Sequence, residues 1–181
     1  MWYPTKVATA ATTEPVSLEE VKRRLHVTFD DDDEDINLMI SSMRDHAEKY
    51  CNTRFASQTV EMKCDGFCDF ARLPEAPVTS VTSIAYVDTG GGNQTLAETV
   101  YELRNDGLEV AIVTIYGQQW PAIQPGSRIV VTAVVGYAAA PAAVKHAILL
   151  NIADAYENRE NAELDDWTAF DALLCNYRRG A

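Results

Sequence analysis

The chain has 181 residues, 47% of them apolar and 23% charged, enough apolar material to bury the core of one domain or of one domain with an elaboration. Its 27 acidic and 15 basic side chains give a formal net charge of -12, which argues against tight non-specific binding to nucleic acid, because such binding needs Lys and Arg to displace counterions. No apolar run of about 18 residues exists to span a membrane, and the opening residues lack the basic and apolar regions of a secretory signal, so synthesis in a cytosol-like compartment is expected.

The acidic balance has two uses that composition does not separate. It keeps a protein soluble, and it lets a phosphate backbone slide past without sticking. The four cysteines, Cys51, Cys64, Cys68 and Cys175, are expected as free thiols. Cys64 and Cys68 have a spacing that two metal ligands could use, but no second pair follows, so no metal is expected.

Residues 1–13 are rich in Thr and Ala and have no clear period. They read as an N-terminal arm that is extended, disordered or ordered by a neighbour. Trp2 and Tyr3 at its tip either fold back on the core or anchor to another subunit. The first helix is signalled by Ser17 as N-cap with Glu20 three residues on, a capping box, and by Val16 and Val21 as a hydrophobic staple. Leu18, Val21 and Leu25 make its apolar stripe, and it should end near His26 and Val27. The carboxylate run Asp30 to Asp35 lacks the glycine and the bidentate glutamate of a calcium loop. It suits the start of a second helix, whose dipole favours negative charge. That helix should run from about Asp33 to Tyr50, with Ile36, Met39, Ile40, Met43, Ala47 and Tyr50 on one face and Asn52 as its stop.

After residue 55 the period changes from helix to strand. Thr59 to Cys64 alternates, and Val81 to Val87 forms a second strand that stops at Asp88. Gly90-Gly91-Gly92 suggests a phosphate loop at first sight, but the Gly-Lys-Ser/Thr and the following helix are missing, so a hairpin turn is expected. Further strands are predicted near Val100–Leu103, Leu108–Tyr116 and Arg128–Val135. Helical character returns after Gly136 and Tyr137, with Pro141 in the first turn and Val144, Ile148, Ile152, Ala155 and Tyr156 on the buried face. A fourth helix is predicted from Leu164 to Tyr177, burying Trp167, Phe170, Leu173 and Leu174.

No catalytic constellation accompanies these elements. His26, His46 and His146 lie on or beside helices without evident partners. No nucleophile elbow, His-Glu-x-x-His pair or dinucleotide fingerprint is present. The expectation is a protein that is not an enzyme and carries no cofactor.

The run from Glu14 to Leu25 (EPVSLEEVKRRL) resembles the opening of tailed-phage head–tail connector proteins, also called adaptor or head-completion proteins, which occur in prophages and gene transfer agents as well. Further segments resemble the family in the same order: Tyr50 to Phe55, Val78 to Ile84, Tyr116 to Pro121, Val134 to Tyr137, and Pro141 to Glu160. The resemblance implies an α+β chain with a helical connector core of about four helices, residues 14–55 and 138–177. A β-rich insertion, residues 56–137, forms a small antiparallel sheet or barrel between the second and third long helices, and residues 178–181 form a C-terminal tail.

The same resemblance implies a ring of copies, commonly twelve, beneath the portal protein in the virion of a particle made in the bacterial cytoplasm. Such a ring extends the DNA channel without binding DNA specifically and docks the next neck, stopper or tail protein. Ring contacts need two different, complementary faces on each copy. Trp2, Tyr3, Tyr177, Arg178 and Arg179 are the expected partner-interface residues, because aromatic and Arg side chains are favoured anchors. For Tyr177 to Arg179 the other reading is an exposed, frayed end. The competing function is a small-ligand or carbohydrate-binding β module, with Trp120 and tyrosines as stacking platforms.

Overall fold

A computed structural model describes residues 1–158 and 168–180. The chain divides into two units, one made of Thr13–Ala56 with Tyr137–Ala181 and the other of Met1–Thr12 with Ser57–Gly136. Together they form an α+β architecture of helices and antiparallel sheets.

The first unit is helical. Helix α1 spans Leu18–Leu25, and its capping box is complete: Glu20 N donates to Ser17 Oγ at 3.2 Å and Ser17 N donates to Glu20 Oε2 at 2.9 Å. Val16 and Val21 are both fully buried, as a staple requires. His26 closes α1 in the left-handed region, with φ 58. Helix α2 spans Asp33–Cys51, and Asn52 stops it at φ 50, its N–H returning to the carbonyls of Glu48 and Lys49. Asp33, Glu34 and Asp35 occupy its first turn, where the helix dipole favours carboxylates. Ile36, Ile40, Ala47 and Cys51 are buried on one face.

Helix α3, Ala142–Glu157, buries Val144, Ala147, Ile148 and Ile152 against α1 and α2. Pro141 stands just before this helix rather than in its first turn. Helix α4 is shorter than the predicted 164–177 element. It covers Ala169–Leu174 and passes into a 3-10 turn at Cys175–Tyr177. Thr168 and Asp171 form a second capping box, which sets its start. Phe170 and Leu174 are buried and Leu173 is half-buried, while Leu164 to Trp167 lie outside the described residues.

The second unit is a five-stranded antiparallel sheet in the order β1-β2-β7-β3-β4, with a separate hairpin β5-β6. The strands are β1 Lys6–Thr9, β2 Gln58–Cys64, β3 Val78–Val87, β4 Asn93–Thr95, β5 Tyr101–Asp106, β6 Glu109–Thr114 and β7 Ile129–Val135. Strands β2 and β7 pair in register from Gln58 opposite Val135 to Cys64 opposite Ile129. Val60, Met62, Cys64, Ile129, Val131, Ala133 and Val135 therefore fall on one buried face. The glycine run turns β3 into β4. Asp88 Oδ1 accepts the N–H groups of Gly90 and Gly92, each at 2.9 Å, and Gly91 adopts φ 84.

The opening residues are extended and ordered by their own chain. Lys6–Thr9 form β1, an edge strand on β2 whose four side chains are all exposed. With every position exposed, the sequence carries no alternation from which a strand could be read.

Candidate functional site

The residues singled out as interface anchors fall into two groups, one in each unit. In the sheet unit, the Trp2 indole N–H donates to the carbonyls of Asp69 at 3.0 Å and Arg72 at 2.8 Å, and the ring stacks on Phe70. Tyr3 N donates to the Lys63 carbonyl at 2.9 Å, its hydroxyl reaches Asp65 Oδ1 at 2.9 Å, and the Arg128 guanidinium lies 4.0 Å above its ring. Both side chains are half-buried; Trp2 pins the opening segment to the 3-10 turn at Phe67–Ala71, and Tyr3 pins it to the end of β2 and Asp65 beyond.

In the helical unit the end of the chain is docked rather than frayed. The Tyr177 ring meets Phe55 edge-on, and its carbonyl accepts the Thr53 hydroxyl at 3.0 Å. Arg178 is exposed, with its guanidinium 4.6 Å above the Tyr50 ring. Arg179 is buried, and its N–H donates to the Cys51 carbonyl at 2.7 Å. Tyr50 in turn donates its hydroxyl to Asp171 at 2.6 Å. Hydrogen bonds from Thr168 and from Tyr50 hold the Asp171 carboxyl at about 2, below the usual carboxylate range.

Beneath this dock lies a residue that sequence reasoning missed. Glu48 is 3% exposed. Its Oε1 accepts Phe55 N at 2.8 Å and Ala56 N at 3.0 Å, while Oε2 faces Arg44 and Arg54, each at 3.4 Å. Arg44 also bonds Glu14 at 2.8 Å. The carboxylate thus closes the turn that follows α2. A charged residue in a helix reads as a solvated one; the available signal was Asn52, which ends the helix and turns the next backbone N–H groups back toward it.

Lys22 bridges two members of the carboxylate run. It reaches Asp30 at 2.6 Å and Asp33 at 2.7 Å, and these bonds raise the lysine above its ordinary range. Tyr156 of α3 donates to Asp32 at 2.6 Å. Beside that bond a cavity of about 230 Å³ is lined by Asp32, Asp35, Met39, Ala155 and Tyr156. Among the described residues, Phe29, Leu38 and Tyr116 stand out in solvent along with Met1 and Val7 of the opening segment, and Tyr116 is wholly exposed.

Trp120 stacks on Phe67 at 4.8 Å and meets Phe70 edge-on, within the aromatic cluster of the sheet unit. His26 caps α1, His46 stacks on Phe170, and His146 is exposed on α3. All four cysteines are free, and burial pushes Cys51 and Cys64 up to about 12. Among the described residues no helix is long and apolar enough to cross a membrane.

These elements, a helical unit and an antiparallel sheet unit interleaved in one chain, make a fold that has counterparts among chains of gene transfer agent necks. Residues 15–89 match a family described as phage gp6-like head-tail connector protein. That stretch runs from α1 through β3, so the resemblance drawn from the sequence holds over it. Comparison with curated protein sequences finds no match. Among solved structures, a chain from the neck of an empty gene transfer agent particle, computed with C6 symmetry, superposes with TM-score 0.83 at 19% identity, covering 99% of this chain and 97% of that one. A chain from the virion of a native gene transfer agent particle gives 0.81 at 20% identity, and one from the neck of a native particle, computed with C12 symmetry, gives 0.78 at 20%; both have the same coverage. At these identities the likeness is one of fold.

Proposed function

We propose that this chain is a head–tail connector subunit of a phage or gene-transfer-agent particle. In this reading copies form a ring beneath the portal, extend the DNA channel, and dock the next neck or tail component. The observation that carries it is the full-length fold match to neck chains, joined to a connector-family match over α1 to β3. The chemistry agrees with the role. A net charge of -12 disfavours a tight grip on DNA. Its partners are then the portal, neighbouring copies and a downstream neck or tail protein, its location is the virion, and its work is structural rather than enzymatic. The C-terminal segment Tyr177–Arg179 is proposed to contact the portal through the exposed Arg178 and the half-buried Tyr177, with Arg179 buried behind them to hold the segment in place.

Light scattering and native mass spectrometry of the purified chain, alone and mixed with the portal of the same particle, test the reading. A ring-sized species, or one that forms when portal is added, is expected. A strict monomer indifferent to portal refutes it. For the C-terminal contact, truncation after Cys175 should abolish portal capture in a pull-down, and unchanged capture rejects that part alone.

A further inference from the structure

Among the described residues Tyr116 is the most exposed large hydrophobic side chain, at 102% of its reference area. It is not on a loose loop. Gln118 N donates to the Ile115 carbonyl at 2.9 Å, and Gly117 takes φ 84, as the third position of a type II turn requires. Ile115 N is tied to the Val100 carbonyl at 3.0 Å, and Trp120 on the other side is stacked into the aromatic cluster. The phenol is therefore presented on a fixed turn, and presenting it costs little further ordering when it binds. Leaving so large a ring in water gains nothing for the fold; burying it on association would.

The helical unit carries a hole of matching size and chemistry. The cavity of about 230 Å³ beside Tyr156 has Met39, Ala155 and the Tyr156 ring as apolar walls and Asp32 and Asp35 as acceptors. A cavity of about 150 Å³ already admits a benzene ring, so this volume has room for a phenol. Tyrosine hydroxyls meet aspartates repeatedly in this chain: Tyr3 with Asp65, Tyr50 with Asp171 and Tyr156 with Asp32. A cyclic ring requires a contact between two unlike patches carried by every copy. A knob on one unit and a hole on the other are such a pair.

We propose that Tyr116 of one copy seats in the cavity between α2 and α3 of the next copy, its ring against Met39 and Ala155 and its hydroxyl donating to Asp35. The proposal rests on the ring reading above and adds the residues that join one copy to the next.

The test places the photoreactive aromatic p-benzoylphenylalanine at position 116, which keeps a ring on the turn, and irradiates the assembled ring. Links between position 116 of one copy and residues 32–39 or 152–156 of another, at the mass of a covalent dimer, are expected. Tyr116→Ala touches no core residue and should raise the concentration for half-assembly at least about tenfold, with Tyr116→Phe in between. Rings that form normally in Tyr116→Ala, or links that fall elsewhere, overturn the proposal while leaving the ring reading intact. Arg23 and Arg24 are exposed in the last turn of α1; assembly lost in Arg23→Ala/Arg24→Ala but kept in Tyr116→Ala would give the cavity to an arginine instead, and also overturns it. If the wild-type chain forms no ring even with portal present, the ring reading fails and this contact with it.

Discussion

Removing the Glu48 carboxylate should be among the most damaging single changes in the helical unit. Phe55 and Ala56 are 1% and 3% exposed, and Glu48 Oε1 is the acceptor for both of their N–H groups. In Glu48→Ala no water reaches those donors without opening the turn. Each buried donor left unpaired costs about 1–3 kcal/mol, so the pair predicts a loss of about 2–6 kcal/mol. The ion pairs add little to this sum, because both N–O distances to Arg44 and Arg54 are 3.4 Å and Arg44 keeps Glu14. Glu48→Gln separates the two contributions. Its amide oxygen can still accept both N–H groups, so its loss should be smaller, about 1–2 kcal/mol. Urea unfolding followed by far-UV circular dichroism reads the helical unit, and amide exchange of Phe55 and Ala56 reads the turn itself. Exchange at those two amides should accelerate in Glu48→Ala far more than in Glu48→Gln. If alanine and glutamine cost the same, or if the Ala variant loses less than about 1 kcal/mol, then the two N–H bonds are not what Glu48 contributes.

Three other outcomes follow from the same contacts. Trp2→Ala removes a ring stacked on Phe70 and the donor to two carbonyls, and should destabilise the sheet unit by about 1–3 kcal/mol and expose β1 to protease; an unchanged digestion pattern counts against the anchoring role. The Asp171 carboxyl is held at about 2 in the folded chain, below its ordinary 3.8, so its contribution is present above about pH 4 and is lost as pH falls through 2; in Tyr50→Phe the carboxyl titration followed by NMR should move up toward the ordinary value, and no movement would mean the Tyr50 bond does not form in solution. Cys68 and Cys175 should react with a thiol reagent in the native protein, whereas Cys51 and Cys64, buried and pushed up to about 12, should react only on unfolding; rapid reaction of all four would contradict the core packing.

What could be read from the sequence was whatever left a periodic or stereochemical mark. The Ser17–Glu20 box, the stop at Asn52 and the alternation in β2 each reflect local chemistry, and all three are in place. Strand β1 left no mark because backbone hydrogen bonds to β2 hold it while its side chains face water. The start of α4 did leave one, Thr168-x-x-Asp171, which the longer apolar pattern from Leu164 to Leu174 overrode. Glu48 could not be recognised as buried, since the groups that neutralise its charge come from Arg44 on its own helix and from backbone beyond the helix stop.

The candidate interface fared differently because its criterion was residue type. Trp, Tyr and Arg are favoured at interfaces, but only when association takes them from water into a packed pocket. A side chain already buried in the free subunit gains no further desolvation on binding. By that measure Arg179 has nothing left to give, and Trp2 and Tyr3 have spent their hydrogen bonds at home. Arg178 keeps an exposed guanidinium, though its ring partner Tyr50 already shields one face. The free energy still available for assembly lies with groups the fold does not use: Phe29, Leu38 and above all Tyr116. Exposure in the single chain, rather than composition at the termini, is therefore the property to follow into the proposed ring: an assembly that leaves Tyr116 accessible to hydroxyl-radical labelling while protecting Trp2 would reverse this order.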